Sequence, residues 1–128
     1  MSKTVVLTDK APKPIGTYSQ AIKAGGFVFL SAQAPLVPDT MEVVEGGIEA
    51  QIRQAFDNLA AVAVGAGGST DNIVKLTVYL TDLVNFPIVN RIMEELFRSP
   101  FPARAAIGVS ALPRNTGVAI EAIMELSN

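Results

Sequence analysis

The sequence predicts an α+β fold in which two helices pack on one face of a single mixed sheet of six strands. Hydrophobic residues recur at helical spacing in two segments and alternate with polar residues in others, and turns rich in glycine or proline separate the segments. Along the chain the predicted order is β-β-β-α-β-α-β-β, which is typical of this class. With 128 residues, the chain has the length of a single domain covering residues 1–128.

Three strands are expected before the first helix. The first covers residues 4–7, and a turn rich in proline and glycine follows it. Residues 18–33 are interpreted as two strands that meet at AGG, residues 24–26, and the second of them contains FVFLSAQA. Because the connection is so short, these two strands are expected to form a hairpin.

Two amphipathic helices are expected. After Gly46, apolar residues recur at helical spacing until GAGG at residues 65–68, which predicts a helix of about five turns. The second helix is expected over residues 86–98, with Asn85 as its N-cap and Pro87 in its first turn. Its inward side chains should be Phe86, Val89, Met93, Leu96 and Phe97.

Three more strands are expected in the second half of the chain. IVKLTVYLT at 73–81 alternates, with the apolar side chains of Val74, Leu76, Val78 and Leu80 on one face. ARAAIGV at 103–109 and GVAIEAIMEL at 117–126 follow, separated by the turn-forming segment SALPRNT. If both helices cover one face of the sheet, the other face must be covered by something else.

The composition restricts the class of protein. A net charge of −2 and a pI near 5.0 provide no basic surface for nucleic acid or anionic membranes. The chain has no cysteine and no histidine, which excludes thiolate nucleophiles, Ser-His-Asp triads and the commonest zinc sites. Neither a secretory leader nor a membrane-spanning run is apparent. We therefore expect a soluble cytoplasmic protein that binds neither nucleic acid nor membrane.

The hydrophobic content points to self-association. Hydrophobic residues make up 49% of the chain and charged residues 17%, and the mean hydropathy is +0.37. A small domain has a large surface relative to its volume, so this much apolar material suggests that part of the surface is buried against another subunit.

Arg104 and Glu121 interrupt the last two strands, and their relative position is open at this stage. If these strands form an antiparallel hairpin with an even loop near residues 113–114, the two side chains share a face as diagonal neighbours within about 7–8 Å. An odd loop places them on opposite faces. The roles are open as well, because the two residues fit either a structural ion pair or a carboxylate-binding arginine beside an acid that handles water and protons.

Other polar residues are weaker candidates. Ser31 and Gln33 lie in an apolar strand, where a hydrogen-bonded core group is the simpler interpretation. Tyr18 follows a glycine turn, where a packing role is common, and Asn90 is most simply an exposed helix residue. Lys75 would be a Schiff-base amine only if it were desolvated.

Six stretches of the chain together resemble the reactive-intermediate deaminase family, also called Rid or YjgF. They are PIGTYSQAI, FVFLSAQAP, QAFDNLAAVAVGAGGSTDNIVKLTVYLTDLVNF, VN at 89–90, FPARAAIGVSALP and VAIEAI. The match as a whole runs from about residue 2 to 126 with hardly a gap. The resemblance implies a chorismate-mutase-like fold that assembles as a homotrimer, with active sites between subunits and no cofactor or metal.

The activity implied by the resemblance is the hydrolysis of reactive enamines and imines. A 2-iminobutanoate/2-iminopropanoate deaminase converts such compounds, including 2-aminoacrylate, to 2-oxo acids and ammonia, which limits damage by reactive metabolites. Three alternatives remain open. They are a catabolic enamine deaminase, for example for 2-aminomuconate, a trimer that binds small carboxylates or acts as a chaperone without turnover, and the ribonuclease activity attributed to some members of the family.

The resemblance also assigns site residues. Arg104 matches the arginine that holds the substrate carboxylate, and Glu121 matches the acid that activates water. Ala106 stands where the family often has a cysteine whose backbone carbonyl contacts the substrate nitrogen, and alanine retains that main-chain group. Ala32 replaces a glycine of the family, so its methyl group is expected to narrow the pocket. The remaining substrate-binding residues are Tyr18, Ser31 and Asn90.

Overall fold

The computed structural model describes residues 3–126, and its six strands form one sheet in the order β1-β2-β3-β6-β4-β5. All neighbouring strands are antiparallel except β4 and β5, which are parallel. The predicted α+β class with a mixed six-stranded sheet and two helices is confirmed. The elements are β1 Thr4–Val6, β2 Ala21–Ala24, β3 Phe27–Gln33, α1 Ile48–Gly65, β4 Ile73–Leu80, α2 Phe86–Leu96, β5 Ala103–Gly108 and β6 Val118–Glu125.

Both helices lie against the same face of the sheet, and one apolar core fills the space between the layers. The core-facing side chains of the two central strands are Leu76, Val78 and Leu80 of β4 and Val118, Ile120, Ala122 and Met124 of β6, all nearly or fully buried. Phe56 of α1 and Phe97, just beyond α2, meet edge to face with ring centres 5.9 Å apart. The central buried side chains are Ile52, Phe56, Leu59, Leu76, Val78, Ile92 and Ile120.

Three local details differ from the sequence-based expectation. A register shift between Ile73 and Lys75 turns Val74 outward, leaving it 42% exposed. The second helix ends at Leu96, because Phe97 already has extended backbone, and Leu96 is 40% exposed rather than inward. Asn85 occupies the N-cap position of α2, but its side chain makes no capping hydrogen bond.

The expected hairpin of the last two strands is wrong, because β4 lies between β5 and β6. Leu76 pairs with both Arg104 and Ala122, whereas Thr77 pairs with Glu121. Successive residues of a strand point to opposite faces, so Arg104 lies on the helix-covered face and Glu121 on the other. The cause is the connection from β4 through α2 to β5, since a helical crossover places the next strand parallel beside the first.

The second face of the sheet has no cover within residues 3–126. Val5, Ile22, Phe29 and Ile123 are paired in one row across four strands of this open face. Val5 is 60% exposed and Phe29 is 48% exposed. A contiguous apolar surface of this kind is typical of a protein interface. In the described part of the chain, neither helix is long and apolar enough to cross a membrane.

Gln20 fixes the segment that precedes β2. Its side chain is 1% exposed and forms hydrogen bonds with main-chain groups of the first loop. The amide oxygen accepts from the Thr8 N–H at 2.7 Å, and the amide nitrogen donates to the carbonyls of Thr8 at 3.0 Å and Pro12 at 2.9 Å. Because Tyr18 lies two residues before Gln20 in the chain, these hydrogen bonds also fix the position of the main chain that carries Tyr18.

We predict that Gln20→Leu lowers the free energy of unfolding by about 1–3 kcal/mol, because it leaves buried main-chain groups without partners. Urea unfolding at fixed protein concentration measures the change. An unchanged urea midpoint would show that solvent or a rearranged loop replaces these bonds.

Candidate functional site

Arg104 projects from the edge strand β5 onto α2. Its Nη1 donates to the Asn90 side-chain oxygen and lies 3.5 Å from the Met93 sulfur. The guanidinium carbon lies 4.6 Å from the centre of the Phe86 ring, in a cation–π contact. Phe86, Asn90 and Met93 follow each other at helical spacing on one face of α2. The interpretation of Asn90 as a simply exposed residue is therefore incomplete.

A cavity of about 520 Å³ opens beside the Arg104 guanidinium. Arg104 is the arginine without an acidic partner in residues 3–126, and the others pair with carboxylates. Those pairs join Arg53 to Glu49 and Glu95, Arg91 to Glu49, Arg98 to Asp71 and Arg114 to Glu42. The cavity is lined by Asn90, Met93, Glu94, Phe101, Pro102 and Arg104.

Ala106 presents its main chain at the same edge. The Val109 N–H donates to the Leu80 carbonyl at 2.9 Å, which orients residue 109 toward β4. Backbone groups of an extended edge strand alternate in direction, so those of Arg104 and Ala106 point away from β4. The Ala106 carbonyl thus lies at the open edge of the sheet and makes no hydrogen bond to β4. We call Asn90, Arg104 and Ala106 the edge half-site.

A β-bulge interrupts the pairing of β3 with β6, on the other side of β4 from the β5 edge. Leu30 pairs with Ala122 and Gln33 with Ile120, so Ser31 and Ala32 together oppose the single residue Glu121. Bulges of this kind redirect side chains and are common beside active sites. The structure therefore brings Ser31 next to Glu121, although 90 positions of sequence separate them.

Hydrogen bonds connect the bulge to the segment that carries Tyr18. The Ser31 hydroxyl donates to the Ser19 carbonyl at 2.6 Å, and the Ser31 N–H donates to the Gln20 carbonyl at 2.9 Å. Tyr18 precedes Ser19 and is 52% exposed. We call Tyr18, Ser31 and Glu121 the bulge half-site.

Glu121 lies at a second cavity, of about 250 Å³, on the open face. Lys75 and Thr77 line it too, and the Lys75 amine donates to the Thr77 hydroxyl at 3.4 Å. Partial burial raises the pKa of Tyr79, and the nearby negative charge of Glu121 raises it further. Tyr79 is thus a neighbour of Glu121 that sequence reasoning missed, although the alternation of β4 places it on the polar face.

The structure divides the sequence-predicted residues into two groups that do not meet within one chain. Arg104, Asn90 and Ala106 lie at the β5 edge, and Ser31 and Glu121 lie at the bulge with Tyr18 nearby. Phe86 and Met93 had been expected as core residues, yet both contact the guanidinium. Their helical spacing places them on the same face of α2 as Asn90, but it does not show which residue that face contacts. In residues 3–126, no three His, Cys, Asp or Glu side chains are grouped as a metal site requires.

Gln33 has a structural role. It is 5% exposed, and its amide nitrogen donates to the Ser31 carbonyl at 3.4 Å. This bond lies within the bulge and supports its shape. The interpretation of Gln33 as a hydrogen-bonded core group is confirmed.

Comparisons with known proteins agree with this architecture. A family model described as endoribonuclease L-PSP matches residues 8–126. The chain is 42% identical to a 2-iminobutanoate/2-iminopropanoate deaminase of Dermatophagoides farinae, with 95% of each chain covered. It superposes on RidA from the Antarctic bacterium Psychrobacter sp. PAMC 21119 with a TM-score of 0.92 and 45% identity, over 96% of this chain and 99% of that one. It superposes on E. coli TdcF with bound serine with a TM-score of 0.89 and 34% identity, over 97% of this chain and 99% of that one.

We predict that Glu121→Gln lowers the pKa of Tyr79, because it removes a negative charge that disfavours the tyrosinate. The chain has two tyrosines, so a Tyr18→Phe background leaves Tyr79 as the only titrating phenol. Ultraviolet absorbance of the tyrosinate against pH measures the change. Glu125→Gln, on the same strand, is the control and should leave the titration unchanged. Equal pKa values of Tyr79 with and without the Glu121 carboxylate would contradict the proximity of these two side chains.

Proposed function

Because the chain belongs to the Rid (YjgF) family, we propose that it is a deaminase that hydrolyses 2-imino acids and their enamine tautomers to 2-oxo acids and ammonia without a cofactor. The observation that carries the proposal is Arg104, which faces a cavity and has no acidic partner within the described residues. A guanidinium held in this way is suited to binding a small carboxylate through two parallel hydrogen bonds.

The comparisons support the substrate class. The Dermatophagoides farinae relative is named as a deaminase of 2-iminobutanoate and 2-iminopropanoate. The E. coli neighbour binds serine, which carries a carboxylate and a nitrogen on the same carbon, as a 2-imino acid does. We take 2-iminobutanoate and 2-iminopropanoate as the substrates and the cytoplasm as the place of action, which are parts of this proposal.

The proposed active site lies between two copies of the chain. Arg104 and Glu121 occupy opposite faces of the sheet, so one protomer cannot apply both to one small substrate. In the proposed homotrimer, the edge half-site of one protomer faces the bulge half-site of the next. The uncovered apolar face and the free β5 edge are surfaces that such an assembly would bury.

The chemistry of the bond suggests how the two half-sites share the work. An enamine first takes up a proton on carbon and loses one from nitrogen, which gives the imine, and the imine carbon then accepts water to give a carbinolamine. Arg104 holds the carboxylate, so the electrophilic carbon is fixed, and the Ala106 carbonyl accepts a hydrogen bond from the substrate nitrogen.

The bulge half-site handles the protons. Glu121 takes a proton from the attacking water and returns it to the imine nitrogen, which gives the carbinolamine. It then passes the hydroxyl proton of the carbinolamine to the amine, so that ammonia leaves and the 2-oxo acid remains. The Ser31 hydroxyl already donates its proton to Ser19, so its oxygen offers only lone pairs to the cleft. Such acceptors suit water and N–H groups.

Ribonuclease activity is less well supported for this chain. The family description names an endoribonuclease, but the chain has a net charge of −2 and no histidine. RNA binding usually relies on a basic surface, and histidine is the commonest general acid or base. A carboxylate-binding trimer without turnover shares the Arg104 site and is separated from the deaminase by the rate measurement below.

We predict that the protein accelerates the loss of 2-aminoacrylate released by a dehydratase, because it positions both the carboxylate and the water. Arg104→Ala should lose most of the acceleration, and Glu121→Gln should be slow while keeping the wild-type fold and assembly. Ammonia release and imine decay measure the rates, with 2-aminomuconate as the larger comparison substrate. A wild-type rate no faster than buffer would exclude the deaminase, and 2-oxobutyrate binding without turnover would favour the non-catalytic trimer.

We predict that mixed trimers of Arg104→Ala and Glu121→Gln regain activity that neither variant has alone. Random assembly at equal concentrations puts both intact half-sites at about a quarter of the interfaces, so about a quarter of the wild-type rate should return. The control mixes Arg104→Ala with Asn90→Asp. Both lesions then lie in the edge half-site, and no rate should return. A mixture as slow as its two parents would contradict a site shared between protomers.

A further inference from the structure

The Arg104 guanidinium is held on α2 by three side chains that contact different parts of it. Its central carbon lies over the face of the Phe86 ring, while Asn90 and Met93 both contact Nη1. A guanidinium has five N–H donors, one on Nε and two on each Nη. Within residues 3–126, no hydrogen bond uses the donors on Nε or Nη2, which leaves one edge of the group available.

We propose that Phe86 is a positioning residue that, together with Met93 and Asn90, makes Arg104 bind the substrate carboxylate side-on, through Nε and Nη2. The proposal rests on the deaminase function above and adds which edge of the arginine binds. A carboxylate needs two parallel N–H groups, and contacts on Nη1 disfavour the end-on pair of Nη1 and Nη2. The pair of parallel donors that remains is the side-on pair, Nε–H and Nη2–H.

The ring is needed because Arg104 starts from an exposed strand at the edge of the sheet. A long side chain on such a strand samples many rotamers, and a single hydrogen bond to Nη1 still allows the plane of the group to rotate. The face of an aromatic ring attracts the cation and restricts that plane. Phe86 itself packs against the hydrophobic core, so its ring is held in place.

Asn90 adds a further donor to the same cavity. Because a guanidinium cannot accept a hydrogen bond, the Asn90 amide must turn its oxygen toward Arg104. Its NH₂ group then points away from Arg104 and is free to meet a ligand in the cavity that both residues line. Arg104 and the Asn90 nitrogen therefore present only donors to a ligand bound between them, which favours an anionic group at that point, while the Glu94 carboxylate lies elsewhere in the lining.

The first test measures the binding of 2-oxobutyrate and the kinetics of imine loss in Phe86→Leu and Phe86→Tyr. Leucine keeps an apolar side chain but removes the ring, so the Kd and KM should rise about 2- to 5-fold while kcat changes less. Tyrosine keeps the ring and should return both constants close to wild type. Equal binding by wild type and Phe86→Leu would overturn the role of Phe86 while leaving the deaminase intact.

The second test observes the arginine directly in the wild-type protein, so it does not depend on how the variants fold. Nitrogen-15 NMR of the arginine Nε–H groups is recorded with and without 2-oxobutyrate, and Arg104→Lys assigns the Arg104 signal. Side-on binding should shift that Nε–H signal strongly. A bound ligand that leaves it unshifted would overturn the side-on geometry. A wild-type protein that neither binds 2-oxobutyrate nor accelerates imine loss would overturn this inference together with the proposed function.

Discussion

The position of β4 between β5 and β6 determines what this protein can do with its charged residues. Arg104 and Glu121 are both one strand away from β4, but they align with neighbouring residues of it, Leu76 and Thr77. Because side chains alternate along a strand, this single-residue difference in register places the guanidinium against α2 and the carboxylate on the open face. The division into two half-sites follows from that register.

The separation keeps both charged groups available for a ligand. In residues 3–126, the carboxylates of Glu49, Glu95 and Asp71 each pair with an arginine, and hydrogen bonds to those arginines lower their pKa values. Arg104 and Glu121 form no such pair. Had the two been diagonal neighbours in a hairpin, each would have been partly neutralised by the other before any substrate arrived.

Local sequence patterns predicted the elements well because the forces that form them are local. The helical spacing of Ile52, Phe56 and Leu59 identified α1, and the alternation in β4 identified a strand with a buried face. The pairing of strands is not local. The 22 residues between β4 and β5 contain a helix, which is the usual connection of parallel strands, and this signal favoured the observed arrangement over the expected hairpin.

The candidate site was predictable in residue type but not in geometry. The stretches FPAR and VAIEAI identify Arg104 and Glu121 by resemblance, yet no periodicity shows that Asn90 faces the guanidinium or that Ser31 shares a bulge with Glu121. A β-bulge depends on one extra residue in a single strand, and the sequence of β3 gives no local mark of it. The contact of Phe86 with Arg104 likewise depends on how α2 packs beside β5.

The two half-sites have opposite hydrogen-bonding character. At the β5 edge, the side chains of Arg104 and Asn90 offer donors, and the acceptors there are the Glu94 carboxylate and main-chain carbonyls of the strand, that of Ala106 among them. At the bulge, the carboxylate of Glu121 and the oxygen of Ser31 offer acceptors. A 2-imino acid has a matching division, because its carboxylate only accepts hydrogen bonds, whereas the attacking water and the amine that forms both donate them. Opposed across an interface, the edge would therefore orient the substrate and the bulge would direct water onto its carbon, so assembly itself would complete the catalytic group.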